Sequence, residues 1–495
     1  MAQQLHFLLI PLMAQGHMIP MLDIARLLSQ RGVIVTVVLT PLNNLRFKPT
    51  IDRAARSGLP ICILQLRFPG VEAGLPEGCE NLDNVPSRDL ATNFFLAASM
   101  LQEPLENAVG QMEVMPSCMI SDFYLPWTSK TSGKFDIPRL IFHGTSCFNL
   151  LCCRNIICHK THQSVHSDSE PFAIPDLPDH VQITRRLLPG HVNKLQNDTR
   201  DLNEQVNDSE RLAYGIVVNS FHDLEGAYID NYHKSKQGKA WCVGPVSLCN
   251  EQVLDKSERG NKSSIDKNQC LKWLDSRPEN SVVYVCLGSL CRLIPAQLLE
   301  IGLGLEASDC SFIWVIRETD IYEGLDKWSR EDGFEERTKD RGLLIKGWAP
   351  QVLILSHQAI GGFVTHCGWN SSLEGISAGV PMMTWPMFSD QFLNEKLLVE
   401  VLKIGISLGV CEPVNWGEEE NAGVLVKKEQ IVKGVKLLMD QGSKGEERRR
   451  RVRELAEMGK KAMEVNGSSY LSITMLIQDI RDFGSKKETV KHGVR

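Results

Sequence analysis

Two separate segments of the chain carry the strand–helix–strand pattern that is typical of parallel α/β domains. The first runs from an apolar strand at 6–12 through an amphipathic helix at about 17–30 to a β-branched strand at 33–39. The second begins at 281 with SVVYVCLG, continues through a helical stretch at 295–307 and ends in the strand SFIWVIR. A connection of this kind places two parallel strands in one sheet with the helix across them. Two independent starts therefore predict two doubly wound parallel-sheet domains.

The length of the chain, 495 residues, also requires a division, because single cores rarely grow beyond about 250–300 residues. The segment LCNEQVLDKSERGNKSSIDKNQ is polar and lacks aromatic residues, which is typical of an exposed linker. We predict an N-terminal domain at 1–247, this linker at 248–269, a C-terminal domain at 270–467 and a C-terminal helix and tail at 468–495. The helical spacing of apolar residues in SSYLSITMLIQDIRDF predicts that this last helix docks back onto the N-terminal domain.

Charge and cysteine content exclude several classes of protein. The formal net charge of −6 argues against nucleic acid as a partner. The 15 cysteines are odd in number and contain no CxxC pair, which indicates a reducing compartment. The apolar stretch 7–13 is far shorter than the about 20 residues of a membrane-spanning helix and lacks a preceding basic segment. We therefore expect a monomeric cytoplasmic protein without a membrane span.

The stretch 348–391 places polar residues where parallel sheets bind ligands. Its strand GGFVTHC delivers His366 at the carboxyl end, and Gly368 to Ser371 then open a helix. Exposed N–H groups and the helix dipole favour an anion at such a junction. A diphosphate is the ligand that this pattern indicates.

Further residues of the same stretch suit the other parts of a nucleotide sugar. Asn370 and Glu374 lie four apart on one helix face, so a carboxylate suited to a ribose diol lies one turn below an amide. Trp348 offers a flat indole for a base, and Asp390 and Gln391 can hold sugar hydroxyls. Each residue taken alone also fits a structural role, whereas their joint spacing favours a nucleotide-sugar site.

The segment WAPQVLILSHQAIGGFVTHCGWNSSLEGISAGVPMMTWPMFSDQ resembles the plant secondary product glycosyltransferase box, which marks plant family 1 UDP-glycosyltransferases. The similarity extends over essentially the whole chain. The resemblance implies a GT-B fold, in which two facing Rossmann-like, doubly wound parallel-sheet domains hold the acceptor and the UDP-sugar respectively.

The resemblance also implies roles for individual residues in UDP-sugar binding. Trp348 would stack on uracil, Gln351 would lie near the ribose, and Glu374 would hold the ribose hydroxyls. His366, Asn370 and Ser371 would hold the diphosphate. Trp369, Asp390 and Gln391 would hold the sugar, and the final glutamine favours UDP-glucose over UDP-galactose. Arg292 stands where many relatives carry a smaller polar residue, so it either contacts the donor or faces solvent. The complete implied donor set is Ser289, Trp348, Ala349, Gln351, His366, Trp369, Asn370, Ser371, Glu374, Asp390 and Gln391.

A histidine in the first domain is the candidate catalytic base. His17 follows the turn Met13–Gly16 after the first strand, and imidazole has the basicity needed to deprotonate an alcohol near neutral pH. The resulting imidazolium needs a carboxylate partner, for which Asp122, at the end of the short strand CMISD, and Asp23 are the candidates. The resemblance favours Asp122, since the family pairs a histidine and an aspartate at these positions.

The predicted chemistry is a single displacement at the anomeric carbon. It inverts configuration and gives a β-glucoside from an α-linked donor, as the resemblance implies. The chain contains no Asp-x-Asp motif, so we expect no metal and no cofactor, with UDP-glucose as a co-substrate whose leaving charge the helix terminus stabilises.

The acceptor is predicted only by class. The opening PLMAQGHMIPMLDIARLLSQRGVIVTVVLTP resembles a plant clade that glucosylates triterpenoid sapogenins, steroids, flavonoids and other phenolics. Aromatic residues near first-domain strand ends could line an apolar acceptor pocket or belong to the core: Phe123, Tyr124, Trp127, Phe142 and Phe148.

Three alternatives remain at this point. A nucleotide-cofactor oxidoreductase would carry a GxGxxG turn, which the first loop, LMAQGHM, lacks. A non-catalytic protein that binds a UDP-sugar or a metabolite would not need both His17 and Asp122. An enzyme of the same fold that uses another UDP-sugar stays open.

Overall fold

The computed structural model describes residues 4–193, 200–321, 323–414 and 417–493, with side-chain surroundings for all of these except 200 and 487–493. The outermost residues of the predicted domains, 1–3 and 494–495, lie outside this part of the chain. The strands are β1 His6–Ile10, β2 Ile34–Leu39, β3 Ile61–Gln65, β4 Cys118–Asp122, β5 Arg139–His143, β6 Pro171–Ala173, β7 Gln182–Thr184, β8 Gly215–Val218, β9 Ala240–Cys242, β10 Val282–Cys286, β11 Ser311–Ile316, β12 Gly342–Lys346, β13 Ile360–Thr365, β14 Met382–Thr384 and β15 Gly405–Ser407.

Helices connect and follow these strands. They are α1 Gln15–Ser29, α2 Pro41–Arg56, α3 Ala91–Ser99, α4 Gln102–Gly110, α5 Thr128–Phe135, α6 Cys147–His159, α7 Gly190–Asn193, α8 Arg200–Arg211, α9 His222–Ser235, α10 Val253–Ser257, α11 Lys267–Asp275, α12 Pro295–Ala307, α13 Glu323–Arg330, α14 Phe334–Thr338, α15 Gln351–Leu355, α16 Trp369–Ser377, α17 Gln391–Lys396, α18 Glu419–Ala422, α19 Lys428–Leu438, α20 Ser443–Met463 and α21 Ser468–Gly493. Among the described residues, no helix combines the length and the apolar character needed to cross a membrane.

The chain divides into two compact units, each discontinuous in sequence. Unit 1 contains Met1–Cys147, Lys194–Asn250 and Lys461–Arg495, and unit 2 contains Phe148–Asn193 and Glu251–Lys460. This grouping follows spatial contacts, so the segments at 148–193 and 461–495 separate from their neighbours in sequence.

Unit 1 is built on a parallel sheet with the strand order β3-β2-β1-β4-β5-β8-β9. Its central strands β1 and β4 are buried along their whole length, as expected of parallel strands covered by helices on both faces. β1 pairs with β2 on one side and with β4 on the other, so that Ile10 lies beside Ser121. The carboxyl ends of β1 and β4 are therefore neighbours.

The C-terminal helix α21 packs on unit 1. Ile473, Leu476, Ile477 and Ile480 recur at helical spacing and join the hydrophobic core formed by α1 and the sheet. Asp479 on the same helix accepts hydrogen bonds from the Tyr214 hydroxyl at 2.6 Å and from the Lys239 ammonium at 2.6 Å. Apolar packing and a polar tie thus hold α21 against the end of the sheet that contains β9.

Unit 2 contains a second parallel sheet with the strand order β12-β11-β10-β13-β14-β15. Pro295 occupies the first turn of α12, where its missing N–H costs no hydrogen bond. The predicted strand–helix–strand starts are confirmed in both units, and the two parallel-sheet α/β domains predicted from them are confirmed as the fold class.

The segment 248–269 is more structured than its composition indicated. Asn250 is buried and donates to the Asp23 carboxylate at 2.8 Å, and α10 follows at once with Asp255 and Ser257 buried. These three positions of the predicted linker are therefore buried rather than exposed. Polar composition indicates exposure only where the polar groups lack protein partners, and here they have them.

Candidate functional site

The loop after β1 places His17 in the first turn of α1. The backbone N–H groups of His17 and Met18 both bond to the Ala14 carbonyl, which starts the helix directly after the turn. The His17 side chain is 21% exposed. A histidine at this position is fixed by the helix yet accessible to a small molecule.

The end of β4 brings Asp122 to the same edge of the sheet. His17 Nδ1 lies 2.6 Å from Asp122 Oδ2, and the backbone N–H of Tyr124 donates to Asp122 Oδ1 at 3.0 Å. The carboxylate is completely buried. Because an ionised carboxylate can only accept, Nδ1 carries the hydrogen and Nε2 keeps the basic lone pair. The structure thus brings the two predicted catalytic residues together as a buried acid and an accessible imidazole.

A buried cation accompanies the carboxylate. Arg139 donates from Nε to the Ser121 hydroxyl at 2.8 Å. Burial lowers the pKa of Arg139 to about 10, an effect that the charges of Asp122 and Glu210 oppose. Arg139 therefore stays charged at neutral pH, and the opposite charges of Arg139 and Asp122 attract each other.

The rival carboxylate, Asp23, has a different partner. It lies buried on α1 and accepts the hydrogen bond from Asn250. The hydrogen bond to His17 comes from β4, whereas Asp23 ties α1 to the segment that follows β9.

Two of the aromatic residues predicted for the acceptor lie beside His17. The ring centroids of Phe123 and Tyr124 are 6.1 and 6.4 Å from the imidazole, and both side chains are partly exposed. Phe142 is completely buried in the core of unit 1, and Trp127 and Phe148 are buried too. A side chain enclosed in protein offers no surface to a ligand, so only Phe123 and Tyr124 of the five predicted aromatic residues are exposed enough to contact one.

A second histidine near this site was missed by the sequence analysis. His143 ends β5, its ring centroid lies 4.9 Å from that of Phe123, and its Nε2 lies 3.4 Å from Glu210 Oε2. Glu210 also pairs with Lys236 at 2.6 Å, and these contacts to His143 and Lys236 hold the pKa of Glu210 well below its usual range against the effect of burial. The available signal was the position of His143 at a strand end directly before a glycine.

In unit 2, the loops after β10 and β13 enclose the imidazole of His366. A Cβ placed on Gly288 would lie 2.5 Å from His366 Cε1, and one placed on Gly368 would overlap Nε2. Gly288 also has a φ of +79°, which favours glycine. Both glycines are therefore required for the backbone to approach the ring this closely.

The same enclosure controls the charge of His366. Burial lowers its pKa to about 4, and none of the described residues provides a hydrogen-bond partner for its buried Nδ1. The ring is neutral at physiological pH. A neutral imidazole can donate one hydrogen bond to a phosphate oxygen, which makes the unpartnered nitrogen notable.

The helices before and after the strand that leads to His366, α15 and α16, carry a group of hydrogen-bonded side chains. Gln351 Nε2 donates to Ser371 Oγ at 3.1 Å and to Glu374 Oε2 at 2.8 Å, and Tyr284 Oη donates to Gln351 Oε1 at 3.4 Å. Arg259 Nη1 donates to Glu374 Oε1. The structure brings the predicted ribose residues Gln351 and Glu374 together, and adds Arg259, which the sequence analysis had placed in the linker.

The other predicted donor residues occupy two loops and a helix terminus. Ser289 follows Gly288 in the turn after β10, and Asn370 lies in the first turn of α16, both partly buried. Ala349 is buried next to Trp348, whose buried Nε1 finds no hydrogen-bond partner among the described residues. Trp369 opens α16 with an indole that is only 2% exposed. An enclosed indole offers no ring face to a sugar, so a sugar contact by the Trp369 side chain is not proposed.

Asp390 and Gln391 differ in exposure and in their hydrogen-bond partners. Asp390 is partly exposed and its Oδ2 accepts from Asn394 at 2.9 Å. Gln391 is buried, and its Oε1 accepts the backbone N–H groups of Met387 at 2.8 Å and Phe388 at 3.2 Å. Gln391 therefore shapes its own loop, in addition to any contact that its amide nitrogen makes.

The position of Arg292 favours neither of its two predicted environments outright. It is partly buried, and burial together with the charge of Arg317 lowers its pKa, while Glu419 and Asp320 act in the opposite direction. Burial raises the pKa of Asp320 to about 6. Arg292 is thus surrounded by the charges of Arg317, Asp320 and Glu419, the last of which begins α18.

Within the described ranges, no three or more His, Cys, Asp or Glu side chains are arranged to hold a metal ion.

Comparisons with known proteins place these features in a family. The sequence model of the family described as UDP-glucoronosyl and UDP-glucosyl transferase matches residues 261–409. UDP-glycosyltransferase 73C5 of Arabidopsis thaliana is 53% identical over 481 residues, which cover 97% of each chain.

Solved structures agree with this relationship. Glycyrrhiza uralensis UGT73P12, complexed with glycyrrhetinic acid 3-O-monoglucuronide, has a TM-score of 0.91 at 38% identity and covers 99% of each chain. Medicago truncatula UGT71G1, complexed with UDP-glucose, has a TM-score of 0.75 at 27% identity, with 97% of this chain and 98% of that chain covered. Identity above half over nearly the full length, on the GT-B fold of plant relatives, shows that the chain belongs to the plant family 1 UDP-glycosyltransferases and is a glycosyltransferase.

Proposed function

We propose that the protein is an inverting glucosyltransferase that moves glucose from UDP-glucose to a hydroxyl of a lipophilic plant metabolite, with His17 as base and Asp122 as its partner. The observation that carries this proposal is the 2.6 Å contact between His17 Nδ1 and the fully buried Asp122 Oδ2. It orients the imidazole with Nε2 basic, as general-base catalysis on an alcohol requires.

The proposed step is one displacement. Nε2 of His17 takes the hydroxyl proton while the acceptor oxygen forms a bond to C1 of glucose. The bond between C1 and the diphosphate oxygen breaks, and UDP leaves with the electron pair. Attack opposite the leaving group converts an α-linked donor into a β-glucoside, and Asp122 stabilises the imidazolium.

The donor is assigned to unit 2. Trp348 would stack on uracil with Ala349 beside it, Gln351 and Glu374 would hold the ribose, and Asp390 with Gln391 would hold the sugar. His366, Ser289, Asn370 and Ser371 would contact the diphosphate. A helix N-terminus such as that of α16 favours the negative charge that develops on UDP, without needing a metal. The UDP-glucose complex of the Medicago truncatula relative supports glucose as the sugar.

The acceptor is proposed as a triterpenoid or saponin, a flavonoid or other phenolic, or a steroid. The partly exposed rings of Phe123 and Tyr124 beside the base support a lipophilic molecule. The relative from Glycyrrhiza uralensis was crystallised with glycyrrhetinic acid 3-O-monoglucuronide, which supports a bulky apolar acceptor. A monomeric state, a cytoplasmic location and the domain ranges predicted from the sequence belong to the same proposal.

The test is a matrix of acceptors and donors. Purified enzyme is incubated with members of each acceptor class and with UDP-glucose, UDP-galactose, UDP-glucuronic acid and UDP-xylose, and products are identified by mass spectrometry. We expect the highest kcat/KM with UDP-glucose and an anomeric proton coupling diagnostic of the β-glucoside in NMR. A preference for another UDP-sugar would replace the donor assignment, and an α-linked product would contradict the inverting mechanism.

A further inference from the structure

We propose that the segment 259–264, here called the connector arm, is part of the nucleoside site, with Arg259 as a positioning residue for Glu374. The inference rests on the proposed function, because it extends the ribose-binding role of Glu374. The arm lies entirely within unit 2 and had the composition of a plain linker.

The first observation is an enclosed ion pair. Arg259 Nη1 donates to Glu374 Oε1, and the two side chains are only 9% and 8% exposed. Gln351 Nε2 donates to the other carboxylate oxygen at 2.8 Å. Both oxygens of the carboxylate therefore accept a hydrogen bond, one from a charged guanidinium and the other from an amide.

Glu374 can still accept further hydrogen bonds while it is bound to Arg259 and Gln351. An ionised carboxylate has about four acceptor positions, and the two donors use one on each oxygen. The remaining lone pairs can accept from the two hydroxyls of a ribose diol. Arg259 supplies the compensating charge that an enclosed carboxylate requires, so that the carboxylate keeps one orientation for the diol.

The second observation concerns the other end of the arm. Ser264 N–H donates to the Trp348 carbonyl at 2.8 Å, and the Trp348 N–H donates to Ser264 Oγ at 2.9 Å. Gly347 has a φ of +118°, and a Cβ there would overlap the Ser264 hydroxyl. The arm is thus paired with the backbone of the residue proposed to stack on the base.

A third contact lies just before the arm. Helix α10 packs against α15, the helix that begins with Gln351. The arm and the helix before it therefore contact the elements proposed to hold base and ribose at three places. These three contacts are to the nucleoside half of the proposed site, which predicts an effect on nucleoside recognition rather than on the transfer step.

The experiment measures binding of UDP and of 2′,3′-dideoxyuridine diphosphate by calorimetry, together with kcat and KM for UDP-glucose. For Arg259→Met we expect the Kd of UDP and the KM of UDP-glucose to rise about tenfold while kcat changes less than about twofold, since about one hydrogen bond to a charged group is lost. Binding of the dideoxy analogue should not change. Arg259→Lys, which keeps the charge without the planar fork, should recover part of the loss.

Matched controls separate this proposal from the one on which it rests. Lys262→Met removes an exposed cation from the same arm and should leave both Kd values within about twofold. Glu374→Gln should weaken UDP binding, and adding Arg259→Met to it should weaken binding little further, because the two residues act as a unit.

The outcomes are distinct. No effect of Glu374→Gln on UDP binding would contradict the ribose assignment in the proposed function. A clear effect of Glu374→Gln with none of Arg259→Met would overturn the role of Arg259 alone. Equal weakening of UDP and its dideoxy analogue by Arg259→Met would also overturn that role, because the guanidinium would then act on another part of the nucleotide.

Discussion

His17 in unit 1 and Glu374 in unit 2 differ in how far the surrounding protein encloses them. His17 makes a short contact to a buried carboxylate, and its ring is partly accessible beside two aromatic side chains. Glu374 is enclosed and accepts from both Arg259 and Gln351, while Gln351 also donates to Ser371. Both residues lie on a helix that directly follows a strand of a parallel sheet.

The difference matches the two tasks that we propose. A base must accept a proton and release it, so an oriented and partly accessible ring suits it. A binding carboxylate gains from several donors that hold one orientation. Substitutions in unit 1 are therefore expected to change kcat, whereas those in unit 2 are expected to change donor KM.

The largest effect is expected for His17→Ala. Removal of the base should lower kcat by about 10²–10⁴-fold, the usual contribution of general acid–base catalysis. The Kd of UDP should stay within about twofold, as measured by calorimetry, and the melting temperature serves as the control for folding. Near wild-type turnover would show that another group accepts the proton.

Asp122→Asn should have the next largest effect. An amide can donate to Nδ1 and reverse the tautomer, and it cannot stabilise the imidazolium. We expect kcat to fall by about 10- to 100-fold, which is less than the full contribution of a general base, because the imidazole itself remains. The matched control is Asp23→Asn, which should lower the melting temperature with little change in kcat. The reverse ranking of the two variants would exchange their roles.

Two glycines, each beside the ring of a histidine, sharpen the comparison further. Gly288→Ala puts a Cβ 2.5 Å from the His366 ring at a φ of +79°, a strain of about 1–3 kcal/mol. We expect donor KM to rise about tenfold in steady-state assays. Gly144→Ala places its Cβ at ordinary contact distance, 3.9 Å from His17 Cε1, and should change kcat less than about twofold. If the two substitutions changed the kinetic constants equally, the close approach of Gly288 to the His366 ring would not explain the rise in donor KM.

A smaller effect concerns stability and pH. Burial holds the pKa of His366 at about 4 in the folded protein, below the about 6.5 of an unfolded histidine. The unfolded state therefore binds more protons between these values, so this contribution to stability is present above about pH 6.5 and is lost as the pH falls toward 4. His366→Asn should reduce the decline of the free energy of unfolding over that window by roughly 2–3 kcal/mol, measured by urea denaturation. An unchanged pH profile would contradict the enclosed, neutral state of the ring.

No change is expected on removal of divalent metal. Turnover in excess chelator should equal that in untreated enzyme, because a helix terminus and hydrogen-bond donors are proposed to stabilise the leaving diphosphate in place of a metal. The assay compares rates before and after treatment with the chelator. Loss of activity that added metal restores would require a metal in unit 2.

The fold was accessible from sequence, whereas the surroundings of several candidate site residues were not. The strand at 360–365 and the helix at 369–377 follow from local pattern, and the predicted bounds of α12 agree with the structure. Phe123 and Phe142 had equal standing as acceptor residues, yet one is partly exposed and the other lies in the core. Which aromatic side chain is enclosed depends on what packs against the sheet, and local sequence does not specify that.

The sequence by itself determined two parallel α/β domains, with polar residues at the carboxyl ends of their strands, because hydrophobic periodicity and the residues that begin helices are local properties. Only the tertiary structure decided which carboxylate meets which cation or imidazole. His17 and Asp122 meet because β1 and β4 are adjacent in the sheet, and Arg259 reaches Glu374 because a polar segment folds onto α15 and α16. Such contacts join residues far apart in the chain, so they depend on strand order and packing, which no local stretch of sequence encodes.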